Sequence, residues 1–243
     1  MKTLSKRSGI GYTVCEKDIL IMDYKIKETK SRITGDNDVI AREVNRRLRE
    51  KKTMFINLMG SPGAGKTSVL TGTIKALKDS CKIGVMEADV DSDVDAAAIA
   101  SLGVRVIQLH TGGSCHMDAD MTMRGLEEMG VDDLDLVFLE NVGNLVCPAE
   151  FDVGSDYRVM ILSVPEGDDK PLKYPLMFQV SDVMLVNKTD VMPVFDFDLE
   201  QASERAKALN PGIRIFALSA KTNEGFDAWI GWLKERLDAY ESH

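Results

Sequence analysis

"GSPGAGKTS", residues 60–68, decides the fold. From Gly60 to Thr67 it fits the spacing G-x-x-x-x-G-K-[ST], and it follows the apolar run "TMFINLM" (53–59). A helical pattern continues behind it to about Asp79. Strand, glycine-rich turn and helix in that order make a phosphate cradle. Gly60, Gly63 and Gly65 let backbone N–H groups face phosphate oxygens at positions where side chains would block the approach. Lys66 is suited to neutralise β- and γ-phosphates, and Thr67 to ligate Mg²⁺. The helix N-terminus adds partial positive charge. The expected contact set is Gly60, Ser61, Gly63, Ala64, Gly65, Lys66, Thr67 and Ser68. The competing reading is a fortuitous glycine turn, which leaves the strand–loop–helix frame unexplained.

Outward from this loop the chain alternates between two periods. Strands are expected at 82–88, 104–109, 134–140, 157–164, 182–188 and 213–219. Helices are expected at 93–102, 116–129, 198–209 and 225–240, with a short one in "PLKYPLMFQV" interrupted at Pro175. Before the loop, 36–52 reads as a polar amphipathic helix with Val39, Ile40, Val44 and Leu48 on or near one face. Short apolar strands alternating with helices predict an α/β fold, a mostly parallel β-sheet with helices on both faces. Ligands of such sheets bind beyond the strand carboxyl ends, here the turns after Met59, Ala88, Leu109, Glu140 and Lys188. Residues 1–35 show little periodicity and read as an N-terminal extension to a domain over 36–243.

Composition excludes several classes. The 243 residues carry a net charge of -9, which argues against broad electrostatic binding to nucleic acid or anionic membrane. No apolar stretch follows the N-terminal basic residues, so neither a signal peptide nor a membrane span is expected. The scattered Cys15, Cys81, Cys115 and Cys147 read as reduced cytosolic thiols. The thirteen methionines read as core filler.

"NKTD" (187–190) follows a buried strand and has the form of the guanine-reading N-K-x-D element. There the aspartate accepts from the guanine edge, the asparagine contacts the base and the lysine stem lies over the ring. Adenine presents the wrong donors, and a buried carboxylate left unpaired costs about 1–3 kcal/mol. "SAK" (219–221: Ser219, Ala220, Lys221) ends a later strand and has the form of a second base-contacting element. In this order behind a phosphate loop, Asn187, Lys188 and Asp190 point to GTP rather than ATP. Either element alone would read equally as a polar loop.

Mg²⁺ needs a strand-end carboxylate beside the loop. Asp89 in "EADVDSDVD" and Glu140 in "ENVGN" are the candidates. Gly143 follows Glu140 as E-x-x-G, its backbone N–H available to a γ-phosphate. The first switch is expected around Asp91, Asp93 and Asp95, one of which could position the attacking water; Asp91 and Asp93 read as solvated or helix-capping residues.

"TGGSCHMDADM" (111–121) places Cys115 and His116 after the third strand, and Cys147 follows the Glu140–Gly143 element. Two thiolates and an imidazole suit a soft or borderline metal ion and fall one short of a closed tetrahedral zinc site. An open position suits transfer, and a symmetric partner copy could also complete it. Spacing alone leaves two unrelated buried cysteines equally open. Asp118 and Asp120 either support the histidine or face water.

Taken in order, "GSPGAGKT", "HTGGSCHMDADM", "LDLVFLENVGNLVCPAEFDVGS", "SVPEGDDKPLKYP" and "LVNKTD" resemble the HypB family, the nickel-handling GTPases of [NiFe]-hydrogenase maturation, over about residues 36–240. The resemblance implies a cytoplasmic P-loop NTPase of the SIMIBI class that forms a homodimer with GTP and binds Ni²⁺ or Zn²⁺ at the dimer interface. It implies work with a HypA-type zinc metallochaperone and delivery to a hydrogenase large subunit precursor. By motif, Cys115, His116 and Cys147 are the metal ligands, and Lys66, Thr67, Asp89 and Glu140 serve phosphates and Mg²⁺. Asp95 matches the switch aspartate, and Asn187, Lys188 and Asp190 read guanine. The chain lacks the N-terminal cysteine cluster and histidine-rich stretch of some members, and "AAAI" follows Asp95 where a charged pair is common. Two rival readings are a regulatory GTPase with structural cysteines and a metal buffer whose nucleotide site only sets its shape.

Overall fold

The computed structural model of the protein describes residues 35–89 and 94–241, without the side chains of residues 89, 94, 95 and 241. Residues 1–34, including Cys15 and nearly all of the expected extension, lie outside the described residues, as do Asp91 and Asp93.

The chain opens with α1 (Gly35–Glu50), then β1 (Met54–Gly60), α2 (Lys66–Leu77), β2 (Ile83–Asp89), α3 (Val94–Ala100), β3 (Arg105–His110) and α4 (Ala119–Met129). It continues through β4 (Leu136–Glu140), α5 (Cys147–Glu150), β5 (Tyr157–Ser163), α6 (Lys170–Lys173), α7 (Pro175–Val180), β6 (Val183–Asn187), α8 (Leu199–Leu209), β7 (Arg214–Ala217) and α9 (Phe226–Glu241). Three-residue-turn helices at Val164–Glu166 and Thr189–Val194 follow β5 and β6.

The seven strands lie in the order β3-β2-β4-β1-β5-β6-β7. Every strand pairing among the described residues is parallel. Strand β1 is central, with β4 on one side and β5 on the other. The chain winds toward β3 on one side of it and toward β7 on the other. That reversal places the phosphate loop at the crevice where sheets of this kind bind ligands.

Burial on both faces explains why β1, β4 and β6 are nearly continuous apolar runs. Met54, Ile56 and Leu58 of β1 join a core with Leu70 and Ile74 of α2 and Trp229 and Leu233 of α9. Phe55, one residue out of phase, joins Val44 and Leu48 of α1 and Leu126 and Met129 of α4. Met59 packs with Met177 and Phe178 of α7 and Ala206 of α8. Most of the methionines among the described residues are likewise buried in the core, in keeping with their reading as core filler.

Three sequence expectations are corrected. Val39 is exposed, and the buried face of α1 is Ala41, Val44 and Leu48. A helical turn of 100° per residue carries Val39 away from Val44, so apolarity alone misplaced it. Pro175 starts α7 rather than interrupting one helix, in keeping with its tolerance at a first helical turn. Asp118 neither braces His116 nor simply faces water: it caps α4, accepting from the Met121 backbone N–H at 2.8 Å.

Candidate functional site

The turn after β1 lines a cleft of about 630 Å³ with Gly63, Gly65, Lys66, Thr67, Ser68, Glu140 and Gly143. Gly63 and Gly65 have φ of 75° and 93°, backbone that a side chain strains. Gly65 is constrained twice, because a Cβ there would also collide with the Asn187 amide nitrogen. Lys66 begins α2 and is buried against the cleft. Ser61 is half-buried, Ala64 buried and Ser68 exposed. The Ser61 carbonyl closes the turn by accepting from the Ala64 N–H at 3.2 Å.

Thr67 Oγ1 donates to Glu140 Oε1 at 2.8 Å. Glu140 is buried at the end of β4, abreast of Glu87 at the equivalent position of β2. A hydroxyl and a carboxylate facing a phosphate cradle form the hard-oxygen donor set that Mg²⁺ takes. Asp89 ends β2 and Asp95 sits in the first turn of α3, but the contacts of both side chains lie outside the described residues. Gly143 lies flat on the loop: a Cβ there would stand 2.9 Å from the Pro62 nitrogen.

The expected base-reading residues converge on the same loop. Asn187 Nδ2 donates to the Ala64 carbonyl at 2.9 Å, and Asn187 Oδ1 accepts from the Ala220 N–H at 3.1 Å. Lys188, at φ 63°, donates from Nζ to the Gly63 carbonyl at 2.7 Å. Ser219 Oγ donates to Asp190 Oδ1 at 2.7 Å, while the exposed Lys221 holds its ammonium 4.0 Å from Asp190 Oδ2. Asn187 and Lys188 thus brace the phosphate loop, and Ser219 orients Asp190.

The thiols and imidazole also come together. Cys115 and Cys147 lie 3.0 Å apart at sulfur, Cys115 Sγ is 3.9 Å from His116 Nδ1, and the three ligand atoms lie within 4.8 Å of one another. Cys115 is exposed and Cys147 half-buried, so neither fits the alternative of an unrelated buried thiol. The His116 ring stacks on Phe151, centroids 3.9 Å apart. Cys81 stands apart, its sulfur toward the Leu77 carbonyl. Asp120 pairs with Arg124 on the outside of α4.

With this geometry established, the comparisons with known proteins are consistent. The family model "CobW/HypB/UreG, nucleotide-binding domain" matches residues 54–217. The hydrogenase maturation factor HypB of Azotobacter chroococcum is 46% identical over 207 residues, 85% of this chain and 68% of its own. That of Escherichia coli K12 is 43% identical over 210 residues, 86% of this chain and 72% of its own.

The chain belongs to the HypB family.

Solved HypB structures share its fold. HypB from Archaeoglobus fulgidus matches with a TM-score of 0.78 at 38% identity, covering 83% of this chain and 98% of that one. HypB from Helicobacter pylori, solved in complex with nickel, matches with a TM-score of 0.79 at 36% identity over 84% and 96%. This HypB family member has the α/β P-loop NTPase architecture, and its family supports nucleotide hydrolysis.

Electrostatics at the three-residue cluster suit a cation. The neighbouring Cys115 sulfur, sharing a hydrogen bond with Cys147, pushes the Cys147 thiol above its ordinary range, and burial adds to this. Burial pushes His116 below the ordinary imidazole value, against the pull of Asp118 and Glu150. A metal bound there would have to displace the thiol protons, while the imidazole would bind in its neutral form.

Sequence reasoning missed the residues that hold this HypB cluster in place. Asn141 is buried, accepts from the Met117 N–H at 3.2 Å and donates to Asn57 Oδ1 at 3.1 Å. Asn144 touches the Cys115 carbonyl, and Phe151 covers the His116 ring. Their only signal was proximity to Glu140 and Cys147 in "ENVGNLVCPAEF", since an asparagine in a loop has no periodicity to read.

Proposed function

We propose that this chain is a GTP-hydrolysing nickel metallochaperone of [NiFe]-hydrogenase maturation, in which GTP-dependent homodimerisation governs Ni²⁺ or Zn²⁺ binding. The observation that carries the reading is one continuous segment. It begins at Glu140, hydrogen-bonded to Thr67 in the cleft, and ends at Cys147, 3.0 Å from Cys115.

In this reading the loop N–H groups and Lys66 hold the phosphates. Asp190 accepts from the guanine edge, with Ser219 holding the carboxylate in place. Thr67 and Glu140, together with Asp89, would hold Mg²⁺, which when bound supplies charge neutralisation across the β- and γ-phosphates. Gly143 offers its N–H to the γ-phosphate, and Asp95 positions the attacking water. Cys115, His116 and Cys147 take the metal cargo as two thiolates and an imidazole. The partner copy faces the remaining position.

GTP draws the Gly143 turn onto the phosphate loop, and hydrolysis releases it, loosening the cargo. The protein works in the cytoplasm, receives help from a HypA-type zinc metallochaperone and delivers to a hydrogenase large subunit precursor. Among the described residues no helix is long and apolar enough to cross a membrane. The test is Mg²⁺-dependent turnover of GTP against ATP, with the molecular mass followed in each nucleotide. Equal turnover of the two nucleotides overturns the GTP assignment. An unchanged mass overturns nucleotide-dependent pairing.

A further inference from the structure

The segment from Glu140 to Cys147 contains two asparagines with different surroundings. Asn141 precedes Gly143 and is fixed to the sheet. Its backbone N–H donates to the Leu58 carbonyl at 2.9 Å, and its side chain is locked to Asn57 and to the Met117 and Val142 N–H groups. Asn144 follows Gly143 and is only half-buried. Gly143 thus lies between two residues tied to β1, Asn141 to Leu58 and Asn144 to Gly60, and of their two side chains it is that of Asn144 that reaches both the Cys115 carbonyl and the Val146 N–H.

Asn144 touches three things at once. Its backbone N–H donates to the carbonyl of Gly60, the first glycine of the phosphate loop, at 3.0 Å. Its side-chain Nδ2 donates to the Cys115 carbonyl at 3.3 Å. Its Oδ1 accepts from the Val146 N–H at 2.8 Å, immediately before Cys147. One amide thus grips the backbone of both thiol-bearing segments and sits on a residue tied to the phosphate loop. With the amide in place, a movement of the Gly143 turn shifts the backbone carrying Cys115 and Cys147 together. Without it the same movement reaches Cys147 along the chain, and Cys115 is left with only its sulfur contact to Cys147 and the Asn141 bond to Met117, two residues on.

We propose that Asn144 is the positioning residue that couples the nucleotide state of the cleft to the Cys115–His116–Cys147 cluster. The inference rests on the metal-binding reading above and adds a residue-level link to it. Asn144 makes no contact with cargo. It acts through the residues that do, at the Cys115 carbonyl, at the Val146 N–H and by a side-chain hydrogen bond to Cys147.

The experiment uses the full chain, Ni²⁺ as the probe, and Asn144→Asp. The carboxylate keeps an acceptor for the Val146 N–H but replaces the donor to Cys115 with an oxygen that repels its carbonyl. The readout is the ratio of the nickel Kd with GDP to the Kd with a non-hydrolysable GTP analogue. A charge near the cluster that alters affinity equally in both states cancels in this ratio.

Wild type is expected to give a ratio differing from 1 by about 5- to 150-fold, the usual span of coupling between sites. Asn144→Asp is expected to bring it to within about twofold of 1 while retaining nickel binding and GTP turnover. Asn144→Ser, with a shorter acceptor and no amide donor, repeats the test should the aspartate unfold the segment. A variant ratio equal to that of wild type overturns the role of Asn144 and leaves the metal-binding reading standing. A wild-type ratio of 1 overturns nucleotide gating of the metal site, and the role of Asn144 with it, while metal binding itself stands.

Discussion

Thr67 and Glu140, the hydroxyl ending the phosphate loop and the carboxylate ending β4, meet at 2.8 Å. They come from elements on either side of the cleft, and each supplies the oxygen chemistry a magnesium nucleotide needs. Lys66→Ala removes the adjacent cation. It is expected to lower kcat for GTP by about 10²–10³, the usual loss when one preorganised charge is withdrawn from a developing anion. Initial rates at saturating GTP and Mg²⁺ check this, and a loss below about tenfold would remove Lys66 from its assigned role.

The Ser219 hydroxyl donates to Asp190, the carboxylate proposed to accept from the guanine edge. Asp190→Asn replaces one acceptor oxygen with a donor, which faces the N2 amino group of guanine unfavourably and the carbonyl of xanthine favourably. GTP affinity is expected to fall by about 1.5–3 kcal/mol, or about 10- to 150-fold, while XTP binds more tightly than to wild type. Competition between the two nucleotides reads the exchange. Parallel loss of both would mean that Asp190 does not face the base.

Gly65→Ala asks for a side chain at φ 93° where the Asn187 amide already stands. The expected cost is more than about 1 kcal/mol in stability, with nucleotide binding lost beyond that through displacement of the loop. Thermal unfolding with and without GDP separates the two effects. Full stabilisation by GDP in the variant would show the loop to be undisturbed.

The strand alternation and the phosphate loop were legible because hydrophobic period and glycine spacing are local properties. Val44 and Leu48 were placed correctly, while Val39 was not, since helical phase and not apolarity decides the buried face. The cysteine–histidine cluster could be suspected but not assembled: Cys115 and Cys147 meet only because β4 lies beside β2 and returns the chain past the third strand's turn. Asn144 and Phe151 were unreadable for a related reason. Their roles lie in backbone carbonyls and a ring face brought near by tertiary structure, and no spacing rule reports these.

Metal affinity should depend on pH with a definite sign. Cys147 is held above the ordinary thiol range by its neighbour Cys115, so it is protonated near neutrality in metal-free protein. Binding must expel that proton, and affinity therefore rises with pH and falls as pH falls, by about tenfold per pH unit for each thiol proton released. Burial holds His116 below the ordinary imidazole range, so its competition with protons enters only on the acid side of neutrality. Competitive titrations between pH 6 and pH 8, a window of about two units chosen to bracket neutrality, check the slope. A flat profile would mean that the thiols are not ligands.

Trp229 is wholly buried and donates from Nε1 to Thr73 Oγ1 at 3.0 Å, joining α9 to α2 behind the phosphate loop. Trp229→Ala is expected to cost about 3–5 kcal/mol, as for other large core truncations. Urea unfolding measures it, and a loss below about 1 kcal/mol would indicate that the two helices repack freely.

The central claim is a metal site gated by nucleotide, and an anaerobic titration addresses it most directly. Wild type and Cys115→Ala are titrated with Ni²⁺ and with Zn²⁺, each in GDP and in a non-hydrolysable GTP analogue, while molecular mass is followed. The account predicts nucleotide-dependent affinity and stoichiometry in wild type, a dimer with the GTP analogue, and loss of that metal binding with Cys115. Identical curves for both proteins in both nucleotides would contradict it and leave a GTPase whose cysteine–histidine cluster is structural.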